Sequence, residues 1–181
     1  FGSQTGVNIN YDLDEVTGNI LFGNSRFKKI NSTNCRLNNT VATEIGNITI
    51  GTNGLDRFNG AQFEVSGSIA CAGTNCRRLF AQSTSKKLIF SSFAARPSNF
   101  NITSTSRPFI NCFFLEELIL PGCETGFSIL NSNMGATAID ALFTSLGTAN
   151  GSQTITVTGN PGSGSCTPSI ATDKGYTVVV S

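Results

Sequence analysis

The apolar positions of the chain occur in short groups that alternate with polar positions, and the best-formed group is LEELILPGC, residues 115–123. Leucines at 115, 118 and 120 are followed by Cys123. This spacing predicts a short strand that directs Leu118 and Leu120 into a core and leaves Glu117 and Ile119 on the other face, because side chains alternate along a strand. We expect Cys123 to turn inward and to satisfy backbone groups where the chain leaves the strand.

The same spacing recurs elsewhere in the chain. IGNITIGTN matches it fully, with isoleucines at 45, 48 and 50 followed by Asn53. Shorter strand candidates with two inward apolar residues are Phe63/Val65, Leu88/Phe90, Ile155/Val157 and Val178/Val180, and a further strand is predicted at Ile20 to Phe22. Residues 78–92 align without gaps on residues 108–122, shifted by 30. The pattern therefore predicts an internal repeat of irregular length.

Two helices are predicted between the last strands. Ile139, Leu142, Phe143 and Leu146 have the i, i+3, i+4, i+7 spacing of a helix with one buried face. Thr137 and Asp140 could form a capping box at its start, and Gly147 is a stop signal at its end.

The second predicted helix is shorter and leads into a last strand. It has Thr167 as N-cap, Pro168 at its first position, Lys174 in its last turn and Gly175 at its end, and a strand follows at residues 176–180. Strands separated by short helices imply parallel pairing through right-handed crossovers.

The L-x-x-L-x-L-x-x-[N/C] spacing is the signature of leucine-rich repeats. CRRLFAQSTSKKLIFSS and FINCFFLEELILPGC resemble the BspA-like subclass of these repeats. The C-terminal segment resembles a closing module of bacteriophage structural and tail-associated proteins, notably marine and cyanobacterial ones, through AIDALF at 138–143, TGNPG at 158–162, Cys166 and residues 170–177. Tyr176 stands where that module has Trp.

The resemblance implies an α/β solenoid, an irregular leucine-rich-repeat-like stack of short parallel strands with short helices and turns. Residues 1–44 would form an N-terminal capping or attachment section, and residues 45–181 the solenoid. It also implies a non-enzymatic virion protein in a tail, fibre or capsid decoration.

Composition narrows the choice of partner. The chain has 13% charged residues and a net charge of +1, without the clustered Lys and Arg that nucleic acid or an anionic membrane requires. No apolar run reaches the roughly 20 residues of a membrane span. Because the sequence begins with Phe1 and shows no signal-peptide pattern, we expect a processed product or one segment of a longer protein.

Few residues are suited to chemistry. The chain has no His, which excludes Ser-His-Asp and Cys-His catalysis, and no CxxC pair for zinc. Asp12, Asp14 and Glu15 are interpreted as a solvated turn rather than a Ca²⁺ site, and Gly159 to Gly164 as a turn rather than a phosphate loop. Most of the six cysteines are expected to be buried thiols, with a Cys71–Cys76 disulfide left open. We predict no catalytic residue, metal or cofactor.

The candidate binding site is the exposed, concave face of the predicted strands. Its residues would be Gln62, Glu64, Lys87, Ile89, Glu117, Ile119, Thr154, Thr156, Thr177 and Val179. Ile89, Ile119 and Val179 could form an apolar line across adjacent strands, although β-propensity alone would also place them there.

The expected partners are other virion proteins or a host-surface receptor or glycan, with self-association left open and with neither nucleic acid binding nor membrane insertion. The alternative function is a bacterial or protist cell-surface adhesin with the same repeats, located outside the cell. A glycan-active enzyme that uses scattered carboxylates is the least favoured interpretation.

Overall fold

A computed structural model of the chain describes residues 26–33, 41–50, 65–66, 68–71, 79–95 and 108–181, and the single positions 58, 60 and 62. These residues contain ten short strands and two helices. In chain order they are β1 (Arg26–Thr33), β2 (Val41–Ile50), β3 (Val65–Ser66), β4 (Ser68–Cys71), β5 (Lys87–Ile89), β6 (Ser92–Ala95), β7 (Glu117–Ile119), β8 (Phe127–Ser128), α1 (Ala136–Ser145), β9 (Gln153–Thr156), α2 (Ser169–Thr172) and β10 (Tyr176–Val179).

Every strand pair in this part of the chain is parallel. The larger sheet has the order β6-β4-β2-β3-β5-β7, with β1 also paired to β2, and the smaller sheet has the order β10-β9-β8. Helix α1 connects β8 to β9, and α2 connects β9 to β10. The predicted parallel strands joined through short helices are confirmed here. Strands β1, β4, β6 and β8 are not predicted from the sequence pattern.

The single continuous solenoid stays a prediction. In the described part of the chain the two sheets share no strand pairing. The predicted boundary between residues 44 and 45 falls within β2, and the division into two sections is likewise not tested. Asn53, Phe63 and the predicted strand at residues 20–22 lie outside the described residues.

The 30-residue shift is confirmed by register in strands β5 and β7, whereas the alignment without gaps is wrong at the preceding corners, where Gln82 and Asn111 are 29 apart. Residues 87, 88 and 89 of β5 pair with residues 117, 118 and 119 of β7. The apolar residues predicted to face inward, Leu88, Phe90, Leu118 and Leu120, are all buried. One register differs from the prediction: Val65, expected in the inward row, pairs with half-exposed Ile89 and not with Leu88.

One buried cluster extends from Phe58 to Tyr176 and underlies both sheets. Its centre is a row of phenylalanine rings. Phe80 stacks on Phe58 with ring centroids 5.1 Å apart and on Phe109 at 5.3 Å, and Phe109 meets the edge of Phe127 at 6.1 Å. Because Phe127 belongs to β8, this row joins the core beneath the larger sheet to the core beneath the smaller one.

Five β-turns of the same kind form corners of the described chain. In each, a buried apolar residue is followed two positions later by a residue with positive φ, and the next N–H donates back to the carbonyl of the first residue, as in a type II turn. The turns are Phe80–Ser83, Phe109–Cys112, Leu120–Cys123, Ile129–Ser132 and Val157–Asn160. The fourth residue of every turn is buried, so a small or polar side chain enters the core at each corner.

The inward-turning role predicted for Cys123 is confirmed, and Asn160 performs it most completely. The Asn160 amide nitrogen donates to the carbonyls of Ile129 and Val157 at 2.8 Å, and its oxygen accepts from the Met134 N–H at 3.1 Å. Cys123 is buried, and its thiol contacts the carbonyl and hydroxyl oxygens of Thr125. Both residues therefore satisfy polar groups just after a strand.

Helix α1 buries the predicted face, but its predicted N-terminal capping box is wrong. Gly135 is the N-cap and no side chain caps the first turn. The Asp140 carboxylate instead accepts hydrogen bonds from the Thr167 N–H at 2.7 Å and the Thr167 hydroxyl at 3.0 Å. At the other end the helix stops at Ser145, two residues before Gly147, whose N–H donates to the Cys123 carbonyl.

Lys174 caps a different helix from the one predicted. Its ammonium donates to the carbonyls of Phe143, Thr144 and Leu146 at 3.0, 2.7 and 2.7 Å, at the end of α1. A cation at this position satisfies carbonyls that have no partner within the helix and complements the helix dipole. Helix α2 begins after Pro168, and Gly175 follows it with φ +89, as its predicted role as a stop signal requires.

Candidate recognition surface

Four of the predicted site residues lie side by side on the larger sheet. Lys87 and Ile89 in β5 are register neighbours of Glu117 and Ile119 in β7. The residue between each pair, Leu88 or Leu118, is fully buried. Because side chains alternate along a strand, the four predicted residues occupy the opposite, outward face.

Ion pairs connect the two strands across this face. The Lys87 ammonium lies 3.1 Å from a carboxylate oxygen of Glu117, and one residue earlier Lys86 lies 3.4 Å from Glu116. Both pairs follow the 30-residue repeat, which places one cation opposite one anion at each step. Pairs this exposed contribute about 0–1 kcal/mol each, so their main effect is to make the face locally neutral.

The apolar part of this face consists of Ile89 and Ile119. These two residues are half-exposed neighbours. In strand register, Ile89 is followed by Val65 of β3 and then by Glu44 of β2. Ile89 and Ile119 therefore present an apolar surface beside the ion pairs.

The other predicted residues lie in the smaller sheet or just before β3 in the sequence. Thr154 pairs with Thr177, and Thr156 lies between Val179 and Ser128. Gln62 is exposed, and Glu64 lies outside the described residues. The predicted apolar line is wrong at Val179, because its strand neighbour is β9 and not β7. The structure thus brings together Lys87, Ile89, Glu117 and Ile119 in one set and the three threonines with Val179 in another.

Two exposed aromatic residues are missing from the predicted site. Phe113 and Phe114 are 55% and 58% exposed, the highest values among the large apolar side chains described. They lie in the loop between the corner at Cys112 and strand β7. The consecutive pair FF is not a sequence signal for exposure, since the adjacent Leu79 and Phe80 in another turn are both buried.

The buried thiols and Tyr176 are structural groups. Burial raises the pKa of the Cys112 thiol to about 12, and its sulfur donates to the Phe80 carbonyl at 3.0 Å. Burial also raises the pKa of Cys123 and Cys166. The Tyr176 pKa is raised by burial and by the nearby Cys123 and Glu124, and its hydroxyl donates to the Cys123 carbonyl at 2.6 Å. Raised thiol pKa values disfavour the nucleophilic thiolate.

Cysteines and carboxylates are the side chains of this chain that could bind a metal ion. Cys112, Cys123 and Cys166 are free thiols, whereas Cys76 and the acidic residues Asp12, Asp14 and Glu15 lie outside the described residues. Within the described part of the chain, no three His, Cys, Asp or Glu side chains are close enough together to hold a metal ion. No helix in the same part is long and apolar enough to cross a membrane.

Comparison with known proteins adds no relative. No family model, curated protein or solved structure matches the chain.

Proposed function

We propose that this chain is a non-enzymatic structural or recognition protein of a bacteriophage virion, in a tail, a fibre or a capsid decoration, and that it binds its partner through the outward face of its strands. The fold proposed with it is an irregular leucine-rich-repeat-like solenoid of the BspA-like subclass. The virion setting is supported by the resemblance of the C-terminal segment to phage closing modules. The binding face is supported by the geometry of β5 and β7.

The observation that carries the binding proposal is the register of these two strands. It sets Lys87 beside Glu117 and Ile89 beside Ile119 on one outward face. A partly exposed apolar pair next to paired charges is typical of surfaces that form contacts. A partner that covers this face would bury the two isoleucines and keep the ion pairs at its rim, where rim charges affect association rate more than affinity.

A cell-surface adhesin with the same repeats is the alternative, and it would use the same face. The two proposals differ in the particle or cell fraction with which the protein should be recovered. Copurification with phage particles after gradient centrifugation supports the virion assignment. Recovery with cell walls or membranes, together with a wall anchor in the full gene, supports the adhesin.

The binding face is tested by the double variant Ile89→Asp/Ile119→Asp. Both side chains are half-exposed, so we expect the fold to survive, as judged by circular dichroism and thermal unfolding. Two unpaired carboxylates in a contact surface should weaken incorporation into particles, or binding to the copurified partner, by about tenfold or more. Thr137→Asp/Ser152→Asp, at two exposed positions outside the predicted site, is the control for added charge. Unchanged incorporation of a folded double variant would refute this face as the binding surface.

A further inference from the structure

The loop that precedes β7 differs from its counterpart before β5. The left-handed corner residues Gln82 and Asn111 are 29 positions apart, whereas the strands that follow, starting at Lys87 and Glu117, are 30 apart. The later loop is therefore one residue longer, 112–116 against 83–86. This longer loop carries Phe113 and Phe114, where the earlier loop has serine and threonine.

The two rings are exposed although nothing in the local pattern requires apolar residues there. A phenylalanine side chain offers about 200 Å² of surface. At 55% and 58% exposure, the pair presents on the order of 200 Å² in total. A stable protein–protein interface needs about 800 Å² from each partner. The two rings alone offer much less than this area, and their size matches the contact surface of a small ligand.

Two asparagines lie close, along the backbone, to the residues that carry these rings. Asn111 precedes them by two residues, and the Asn133 N–H donates to the Leu115 carbonyl at 2.9 Å, which places Asn133 next to the end of the loop. Both asparagines are exposed, and neither side chain makes a hydrogen bond within the described residues. Each amide offers donors and an acceptor together.

The charges nearest in sequence are neutralised. Glu116 is paired with Lys86 and Glu117 with Lys87. A charged ligand would find no free counter-charge among these four residues. Two exposed aromatic rings near uncharged hydrogen-bonding residues instead suit a ligand that has apolar C–H faces and a rim of hydroxyls, because the negative ring face attracts the positive C–H groups.

We propose that Asn111, Phe113, Phe114 and Asn133 form a binding site for a neutral carbohydrate chain, with sugar rings stacked on the phenylalanines and hydroxyls bound by the amides. The site goes beyond the proposed function, because it uses a different surface from the face of β5 and β7 and does not require a virion. It involves no bond-making step.

The test is affinity electrophoresis of the full chain in gels that contain a neutral polysaccharide, using dextran, mannan, galactan and xylan in turn. Isothermal titration with the hexasaccharide of the retarding polymer follows. We expect at least one of the four to retard the wild-type chain. Phe113→Ala/Phe114→Ala should lose about tenfold or more in affinity, which corresponds to about 1.4 kcal/mol.

Three further variants keep the result interpretable. Phe113→Tyr/Phe114→Tyr retains the rings and should bind within about threefold of the wild type. Asn111→Gly/Asn133→Ala removes the amides, keeps the left-handed corner accessible at position 111, and should weaken binding. Phe114→Ser replaces the double variant if that protein does not fold. Ile89→Asp/Ile119→Asp should leave retardation unchanged, which separates this site from the proposed binding face.

Several outcomes would overturn the site. They are the absence of retardation in all four gels, equal retardation of the wild type and Phe113→Ala/Phe114→Ala, and binding to anionic polygalacturonate alone. A fourth is sedimentation of the wild type as an oligomer that Phe113→Ala/Phe114→Ala dissociates, without any binding of neutral polysaccharide, which would assign the rings to a second copy of the chain.

Discussion

The corner turns show how single residues specify this chain. The third position of each turn has positive φ, which glycine adopts freely and asparagine tolerates better than most residues. Gly122, Asn131 and Gly159 follow this preference, whereas Gln82 does not. The fourth position is buried in all five turns, and its side chain must therefore find partners inside the protein or be apolar.

Ser132 and Asn160 each occupy the fourth position of a corner turn, but their side chains differ in hydrogen bonding. The Ser132 hydroxyl is buried and has no hydrogen-bond partner within the described residues, whereas the Asn160 amide makes three hydrogen bonds. We predict that Ser132→Ala changes the free energy of unfolding by less than about 0.5 kcal/mol or raises it, because it removes an unsatisfied group. Asn160→Ala should lower it by about 2–4 kcal/mol, because buried backbone groups lose their partners.

Urea unfolding followed by far-ultraviolet circular dichroism measures both changes, since the chain has no Trp to report by fluorescence. Each variant is the matched control of the other. A greater loss of stability in Ser132→Ala than in Asn160→Ala would contradict this account of the corner.

At the scale of elements, the C-terminal end and the surface of α1 are bound by residues far along the chain. Lys174 binds three carbonyls at its C-terminal end, and Asp140 on its surface binds Thr167, which precedes α2. Residues on both sides of α2 therefore bind α1. The capping box expected at the start of α1 does not form, because the helix begins at Ala136 and Thr137 lies inside its first turn.

Lys174→Met tests the capping of α1 by a residue outside the helix. It keeps the aliphatic stem and removes the ammonium, so the α1 carbonyls lose a charged donor. We predict a loss of about 1–2 kcal/mol in the free energy of unfolding. Lys86→Met is the matched control, because it breaks only an exposed ion pair and should cost less than about 1 kcal/mol. Equal effects of the two substitutions in urea unfolding would show that the three bonds to α1 do not stabilise the helix.

At the scale of the whole molecule, a single core supports two sheets that share no strand pairing in the described residues. The phenylalanine row provides the link. Phe109 stacks on Phe80 beneath the larger sheet and meets Phe127 of the smaller sheet. The Phe109 ring is therefore expected to contribute to the cooperative unfolding of both sheets, beside the hydrogen bond from Tyr176 to Cys123.

Phe109→Ala should lower the free energy of unfolding by about 3–5 kcal/mol, the usual result of removing a buried phenylalanine. Hydrogen exchange should show lower protection of amides in both β7 and β9, because the cavity lies between the two sheets. Phe113→Ala, which removes an exposed ring a few residues away, is the control and should change stability little. Unchanged protection of β9 in Phe109→Ala would mean that the two sheets unfold independently.

Much of the local structure could be predicted from the sequence. The alternation around Leu118 and Leu120 predicts the inward face of β7, and the 30-residue shift predicts its exact register with β5. The spacing of Ile139, Leu142, Phe143 and Leu146 predicts the buried face of α1. These features depend on contacts between residues two to four apart, or on two segments of similar sequence, and both leave a visible pattern.

The candidate site was only partly predictable. Lys87, Ile89, Glu117 and Ile119 lie together as expected, because one register places all four. Val179 does not join them, since the order of strands depends on which segments pair across the fold and not on alternation within a strand. The exposure of Phe113 and Phe114 was not predicted, because a sequence pattern assigns apolar residues to the core. Only the tertiary structure shows that these two rings remain outside.

The sequence by itself therefore determined the elements that local periodicity encodes: the inward residues of β5 and β7, the buried face of α1, and the glycine that ends α2. Only the tertiary structure decided the separation into two sheets, the capping of α1 by Lys174, the binding of Asp140 to Thr167, and the exposure of Phe113 and Phe114. The physical reason is range. The bonds of Lys174 and Asp140 join residues 27 to 31 positions apart, and their partners are set by how successive segments pack, which no local spacing records.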